Sequence, residues 1–233
     1  MRVALYGAGQ LATNVAGILS QRPEIEVLGP RGRGGRDQIL CSGADVVIVA
    51  TTSFLHEVAP DIRLAVESGS NVIASAEEAA FPWAVDPALA DELDRLARDR
   101  GVTILGGGIN PGFAFDAFVV TATGPSARVS SIRVERVVDL SGFGATVLRR
   151  IGVGYTEAEF ASGTESGAIT GHIGFPQSMR VVASALGLTL ERVDRAISPI
   201  FAEREHLGSY LVQLRSPRQA DQADAAHSDA VTK

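Results

Sequence analysis

Val3-Ala4-Leu5-Tyr6-Gly7-Ala8-Gly9-Gln10-Leu11-Ala12 joins a short apolar run to a helical pattern through the spacing G-x-G-x-x-A. Each small residue has its own task in a dinucleotide-binding turn. Gly7 allows the tight turn, Gly9 lets a pyrophosphate approach the backbone, and Ala12 lets the new helix lie close on the sheet. The pyrophosphate then meets unpaired N–H groups at the helix N-terminus, so Gly7, Gly9, Gln10 and Leu11 are the first candidate cofactor contacts. Glycine turns also join strands to helices for purely structural reasons. Context favours the nucleotide reading, because the turn begins at residue 7 and an amphipathic stretch from Gln10 to Leu19 follows it.

Outward from this turn the composition is that of a globular chain. Its 233 residues suffice for one large or two small domains, and 45% hydrophobic with 21% charged residues is neither disordered nor membrane-spanning. The N-terminus already reads as strand, turn and helix, which argues against a signal peptide, and a single cysteine fits a reducing cytoplasm. Cys41 is the single cysteine, so no intramolecular disulfide forms; a small buried hydrophobe is its expected role. A net charge of −6 with no Lys/Arg block argues against nucleic acid as a partner and leaves small-molecule chemistry.

Apolar runs alternate with helical patterns through the first half. Strands are expected at Arg2-Tyr6, Ile25-Gly29, Asp45-Ala50, Asn71-Ser75 and Val102-Leu105, most of them continuous hydrophobic runs as in a parallel sheet buried on both faces. Helices are expected at Gly9-Ser20, His56-Ser68 and Pro87-Arg100, the last closed by Gly101. Asn110-Pro111 reads as an N-cap followed by proline at the first helical position of a helix reaching Thr123. Gly124-Pro125-Ser126 breaks the pattern, and Val129-Leu140 then alternates like an antiparallel strand with one polar face. Helices at Thr156-Ala161 and Phe175-Leu186 and a strand at Arg195-Phe201 follow. These readings give a Rossmann-type parallel sheet over 1–124, a smaller α+β domain over 125–214, and a polar tail over 215–233 expected to be disordered.

Cofactor choice is usually set at the end of the second strand, where an acidic residue binds a ribose 2′-hydroxyl. Here the stretch is Val27-Leu28-Gly29-Pro30-Arg31-Gly32-Arg33-Gly34-Gly35-Arg36, with no acid before Asp37. Arginines there favour a 2′-phosphate, which points to NADP(H) through Arg31 and Arg33, with Arg36 close by. Thr51, Thr52 and Ser53 follow a buried strand at its carboxyl end, where contact with cofactor ribose or phosphate is expected. Glu77 and Glu78 lie just beyond the strand Asn71-Ser75. A carboxylate there can relay a proton or hold an ammonium, although acids also favour the first turn of a helix.

Several motifs in order carry a resemblance. The glycine turn, Ala50-Thr51-Thr52-Ser53-Phe54-Leu55, the strand running into Glu77-Glu78, Gly106-Gly107-Gly108-Ile109-Asn110-Pro111-Gly112-Phe113 and Gly171-His172-Ile173-Gly174-Phe175-Pro176-Gln177-Ser178 together resemble the 2,4-diaminopentanoate dehydrogenase and native amine dehydrogenase family, relatives of dihydrodipicolinate reductase. The match runs over about residues 1 to 205. It implies a second domain that closes over the substrate and forms a homodimer, and an NAD(P)-dependent interconversion of an amine with a carbonyl through an imine. It also implies that a glutamate of the Glu77-Glu78 type sits by the amine, that the Asn110-Pro111 loop lies near the nicotinamide, and that His172 belongs to the substrate pocket. The stretch between the second strand and Asp45 is short for this fold, so one helix-strand pair is expected to be missing. The His-His-x-x-Lys element of dihydrodipicolinate reductases is absent, which disfavours that reaction.

The leading expectation is an NADP(H)-dependent oxidoreductase of the amine dehydrogenase or imine reductase type, with an amine, imine or carbonyl as substrate. A redox-neutral lyase or cyclase on the same fold and a non-catalytic nucleotide-binding protein are the alternatives. No metal site is expected, since His56-Glu57 lacks a second histidine four residues on. Phe81 and Trp83 suit either a pocket wall or aromatic packing.

Overall fold

A computed structural model of the chain describes residues 1–140, 142–201 and the strand at 211–215. The elements run β1 (Arg2–Tyr6), α1 (Gln10–Leu19), β2 (Glu26–Arg31), α2 (Arg36–Leu40), β3 (Val46–Val49), α3 (Leu55–Glu67), β4 (Asn71–Ala74), α4 (Pro87–Arg100), β5 (Ile104–Gly106) and α5 (Ala117–Thr123). After these come β6 (Glu135–Asp139), α6 (Ala145–Ile151), α7 (Glu157–Glu165), α8 (Phe175–Ala185) and β7 (Leu211–Arg215).

The first five strands form one parallel sheet in the order β2-β1-β3-β4-β5. Relative to the usual doubly wound order 3-2-1-4-5-6, the outermost strand and its crossover helix are missing among the described residues, as the short stretch before Asp45 implies. Both faces of the sheet are covered. Val3 and Leu5 pack with Ala16 of α1 on one side. Ala4, Tyr6, Val47, Val49, Val72 and Ala74 join the apolar stripes of α2, α3 and α4 on the other. Burial on two faces explains why the central strands read as unbroken hydrophobic runs. Local signals agree with the packing at α4, where the Asp86 side chain accepts from Leu89 N–H at 3.0 Å, Pro87 opens the helix and Gly101 closes it in the left-handed conformation.

Beyond residue 124 the chain is held differently. β6 pairs antiparallel with β7, Glu135 opposite Arg215 and Asp139 opposite Leu211. Thr156 and Glu159 form a reciprocal capping box at the start of α7. Helix α8 docks on α5 and on two short 3-10 turns of the first half, Glu77–Ala80 and Pro82–Ala84.

Several expectations are corrected. Pro111 does not open a helix; α5 begins six residues later because the Asp116 carboxylate accepts from both Gly112 N–H (2.7 Å) and Ala117 N–H (2.6 Å), closing an intervening turn and capping the helix. The strand expected over Val129-Leu140 is confined to Glu135–Asp139. Arg195-Phe201 has no regular structure and is tied to the chain by side chains instead, Arg195 donating to the carbonyls of Thr170 (2.8 Å) and His172 (3.2 Å). Cys41 is exposed, just past the end of α2, and not buried. Apart from Arg215, which ends β7, the tail at 215–233 lies outside the described residues.

Candidate active site

The carboxyl ends of the parallel strands define one edge, where ligands collect in open α/β sheets. Gly7 to Gly9 follow β1, Arg31 and Arg33 end and follow β2, Thr51 to Ser53 follow β3, Glu77 and Glu78 follow β4, and Asn110 and Pro111 follow β5. The topology therefore brings every candidate of the first half to the same side of the sheet.

At the β1 turn, Gly7 has φ +143° and a Cβ there would collide with the carbonyl oxygen of Ala50, so the turn requires glycine. Ala12 is fully buried behind it. A Cβ at Gly9 would meet nothing within 4 Å, and α1 has no side-chain cap and no acid in its first turn. An open approach to bare N–H groups at a helix start fits a pyrophosphate. Gln10 binds its helical neighbour Asn14 at 2.9 Å, and Leu11 is exposed.

Arg31 is locked to this turn through its backbone, whose carbonyl accepts from Gly7 N–H at 2.8 Å. The side chains of Arg31 and Arg33 are exposed beside it. Arg36 is not available to a phosphate. Its Nε donates to the buried Asp61 carboxylate at 2.6 Å and its Nη1 to Asp37 at 3.1 Å, so it fixes α2 to α3.

The two glutamates separate clearly. Glu78 donates its N–H to the Ser53 carbonyl (3.2 Å), while its Oε2 accepts from Leu55 N–H at 2.7 Å, satisfying the start of α3 from outside that helix. Its second carboxylate oxygen has no protein partner among the described residues. Glu77 is half-buried and makes no side-chain hydrogen bond among the described residues. The 3-10 turn that carries both is pressed onto β5, where a Cβ on Gly106 would strike the Ala79 carbonyl. Thr52 Oγ1 donates to the Glu57 carboxylate in the first turn of α3, and Thr51 is exposed at the strand end.

A second set comes from the far side of the chain. Asp116, 2% exposed, accepts from Ser178 Oγ of α8 at 2.9 Å in addition to its two backbone donors. Ser178 also lies 3.4 Å from Asn110 Oδ1. His172 packs edge-on against Phe175 at 4.7 Å and Phe175 against Phe115 at 5.5 Å. Burial holds the His172 imidazole at a pKa of about 4, the Arg136 charge pushes the same way, and a hydrogen bond to the Asn110 backbone opposes them. His172 is therefore neutral near pH 7, with a buried Nε2 that has no partner among the described residues. Trp83 belongs to packing, since its indole N–H donates to Asp91 at 2.8 Å and its ring meets Phe81 edge-on at 6.0 Å.

Sequence reasoning passed over Arg150 and Asp116. Arg150 reaches Ser53 Oγ at 3.2 Å and stacks over Phe54 at 5.3 Å. Nothing in its local sequence separates it from Arg149; only the fold does. Asp116 could have been read as an N-cap, being an acid directly before the apolar run of α5. Among the described residues, no three His, Cys, Asp or Glu side chains come together as a metal site, and no helix is long and apolar enough to cross a membrane.

The parallel sheet, its glycine turn and the residues gathered at the strand ends define a Rossmann-type α/β protein of the dehydrogenase class. Comparison with known proteins agrees. The 2,4-diaminopentanoate dehydrogenase C-terminal domain family matches residues 113–219. A curated 2,4-diaminopentanoate dehydrogenase of Acetoanaerobium sticklandii is 35% identical over 90% of this chain and 67% of its own length. The chain belongs to the 2,4-diaminopentanoate dehydrogenase family. In structure it is similar to an amine dehydrogenase from Mycobacterium smegmatis, with a TM-score of 0.70 and 21% identity over 83% of this chain and 64% of that one. The chain thus spans about two thirds of the length of each of these relatives.

Proposed function

We propose that this protein is an NADP(H)-dependent oxidoreductase acting on a C–N bond, interconverting a small amine with its imine and carbonyl forms. The supporting observation is Glu78, whose carboxylate is held through one oxygen by Leu55 N–H and keeps the other for a substrate nitrogen. Gly7, Gly9, Gln10 and Leu11 would hold the pyrophosphate, Arg31 and Arg33 the 2′-phosphate, Thr51, Thr52 and Ser53 the ribose and phosphate side, and Asn110 and Pro111 the nicotinamide end. The bound nicotinamide supplies hydride exchange with the substrate carbon.

The protein's own part is orientation and charge. Glu78 stabilises the ammonium or iminium and moves a proton at the substrate nitrogen, with Glu77 beside it. His172, neutral and lacking a partner at Nε2, contributes a polar contact to the pocket without adding a positive charge that would repel an iminium. In this reading residues 1–124 form the cofactor domain, 125–214 the substrate and dimer domain, and the protein works as a cytoplasmic homodimer.

The test is to titrate NADPH and NADH, then assay carbonyls with ammonia and preformed imines by nicotinamide absorbance. NADPH should bind more tightly, and Arg31→Ala/Arg33→Ala should lose about 1.5 to 3 kcal/mol of that affinity per phosphate contact removed. Glu78→Gln should abolish turnover while leaving NADPH affinity within about twofold. Equal affinity for the two cofactors would overturn the NADP(H) assignment, and full activity in Glu78→Gln the mechanism.

A further inference from the structure

Ser53 and Phe54 end the connection from β3 and lead into Leu55, the first residue of α3. All three are gripped from two sides by groups of opposite charge from distant parts of the chain. On one side stands Glu78, taking Leu55 N–H at 2.7 Å and giving its own N–H to the Ser53 carbonyl at 3.2 Å. On the other stands Arg150 of α6, 97 residues from Ser53, donating to Ser53 Oγ at 3.2 Å while its guanidinium lies 5.3 Å from the Phe54 ring centre. The Arg150 carbonyl in turn accepts from Thr170 and Gly171 N–H, both at 3.0 Å, immediately before His172. No carboxylate among the described residues lies within ion-pairing distance of its side chain. Arg150 is half-buried, and its charge is committed to this turn.

We infer that Arg150 is a positioning residue for Glu78, latching the second half of the chain onto the Ser53-Leu55 turn so that the Glu78 carboxylate stays where a substrate nitrogen can reach it. The inference rests on the proposed role of Glu78. Its physical basis is that, besides the buried Leu55 side chain and Thr52 Oγ1, which accepts from Phe54 N–H at 3.3 Å, the side chains that hold this turn by polar contacts are those of Glu78 and Arg150. Phe54 is the N-cap of α3 but has no capping side-chain oxygen of its own, and Leu55 N–H depends on Glu78 for its partner. Loosening the turn from the Arg150 side therefore loosens the seat of Glu78. A guanidinium suits the task because one plane can both stack on a ring and donate in a fixed direction, which a lysine ammonium cannot reproduce.

The experiment compares the full-length protein with Arg150→Gln, Arg150→Lys, Ser53→Ala, the Arg150→Gln/Ser53→Ala double variant, and Arg149→Gln as a control that removes a neighbouring exposed charge. Hydrogen exchange is read at residues 53–58 alongside steady-state kinetics. Arg150→Gln should speed exchange there at least tenfold with β1 and β3 amides unchanged, and should lower kcat at least tenfold while the cofactor KM moves less than twofold. Arg150→Lys should fall between wild type and Arg150→Gln. The double variant should be no worse than its worse single parent, because both changes remove the same link. Unchanged exchange at 53–58 in Arg150→Gln overturns the inference, as does a kcat within twofold of an active wild type. Faster exchange in a protein that never turns over an amine or imine supports the latch and defeats the proposed function instead.

Discussion

Residues 1–106 are held together mainly by apolar burial, whereas residues 125–201 are held to them mainly by a few polar and ring contacts. The sheet and its helices supply nearly all the buried hydrophobic side chains. Beyond residue 124, only Leu140, Phe160, Ile169, Val182 and Ala183 are buried hydrophobics among the described residues. What fixes the second part to the first is the Asp116–Ser178 bond, the Arg150 contacts with Ser53 and Phe54, and the docking of α8 on α5 and the Glu77–Ala80 turn. The first region can thus keep its shape with an altered site, while the second depends on the first for its place.

The largest expected effect tests the self-sufficient half. Leu5 is fully buried in β1, an interior strand of the sheet, and Leu5→Ala should remove about 3 to 5 kcal/mol of stability, lost by both regions together. Denaturant unfolding followed by far-UV circular dichroism and by Trp83 fluorescence checks this. Trp83 lies in the turn on which α8 rests, so it reports docking. If the two signals separate in this variant, the halves are less coupled than described.

Asp116→Ala should come next, costing about 2 to 4 kcal/mol because three donors lose their acceptor, Ser178 Oγ and two backbone N–H groups. Here the two signals should part, with Trp83 changing before the sheet unfolds. Coincident transitions would show that the polar anchor belongs to the same cooperative unit as the core.

Acid should loosen the second region by a comparable or smaller amount. In the unfolded chain His172 binds its proton below about pH 6.5, and in the fold only near 4. Between those values the unfolded state holds the extra proton, so stability falls as pH drops through this window and is unaffected by this group above it. The loss reaches about 3 kcal/mol at most. His172→Gln should flatten that slope, which urea midpoints at pH 4.5 and 7.5 would reveal; an unchanged slope would place the acid sensitivity elsewhere.

Smallest on stability is Gly9→Ala. No atom stands within 4 Å of the added methyl, so the fold should change by less than about 1 kcal/mol, while dinucleotide affinity should fall by about 1.4 kcal/mol or more, a factor of ten. Undiminished NADPH binding would remove the pyrophosphate from this turn.

The same division governed what the sequence could reveal. In the sheet, two-faced burial leaves a direct trace in strings such as Val46-Val47-Ile48-Val49, and α4 announces its bounds with Pro87 and Gly101. Polar anchoring leaves none. Arg195-Phe201 is apolar enough to resemble a strand, yet it is secured by one guanidinium on two carbonyls. Arg36 looked like its neighbours Arg31 and Arg33 until Asp61, 25 residues on, claimed it. Glu77 and Glu78 were indistinguishable in the chain, and only the arrival of the α3 terminus beside Glu78 separates them.

The outer strand β2 carries a final consequence, one of self-association. Among the described residues β2 is an outer strand with no neighbour beyond it, the kind of edge on which another chain could build. Pro30 lacks the N–H that such a ladder needs, the pairing with β1 is irregular there, and Glu26 and Arg31 place charges along the rim. Pro30 and Arg31 thus make this rim of the described sheet a poor template for another strand, at the very point where the proposed cofactor phosphate would be recognised.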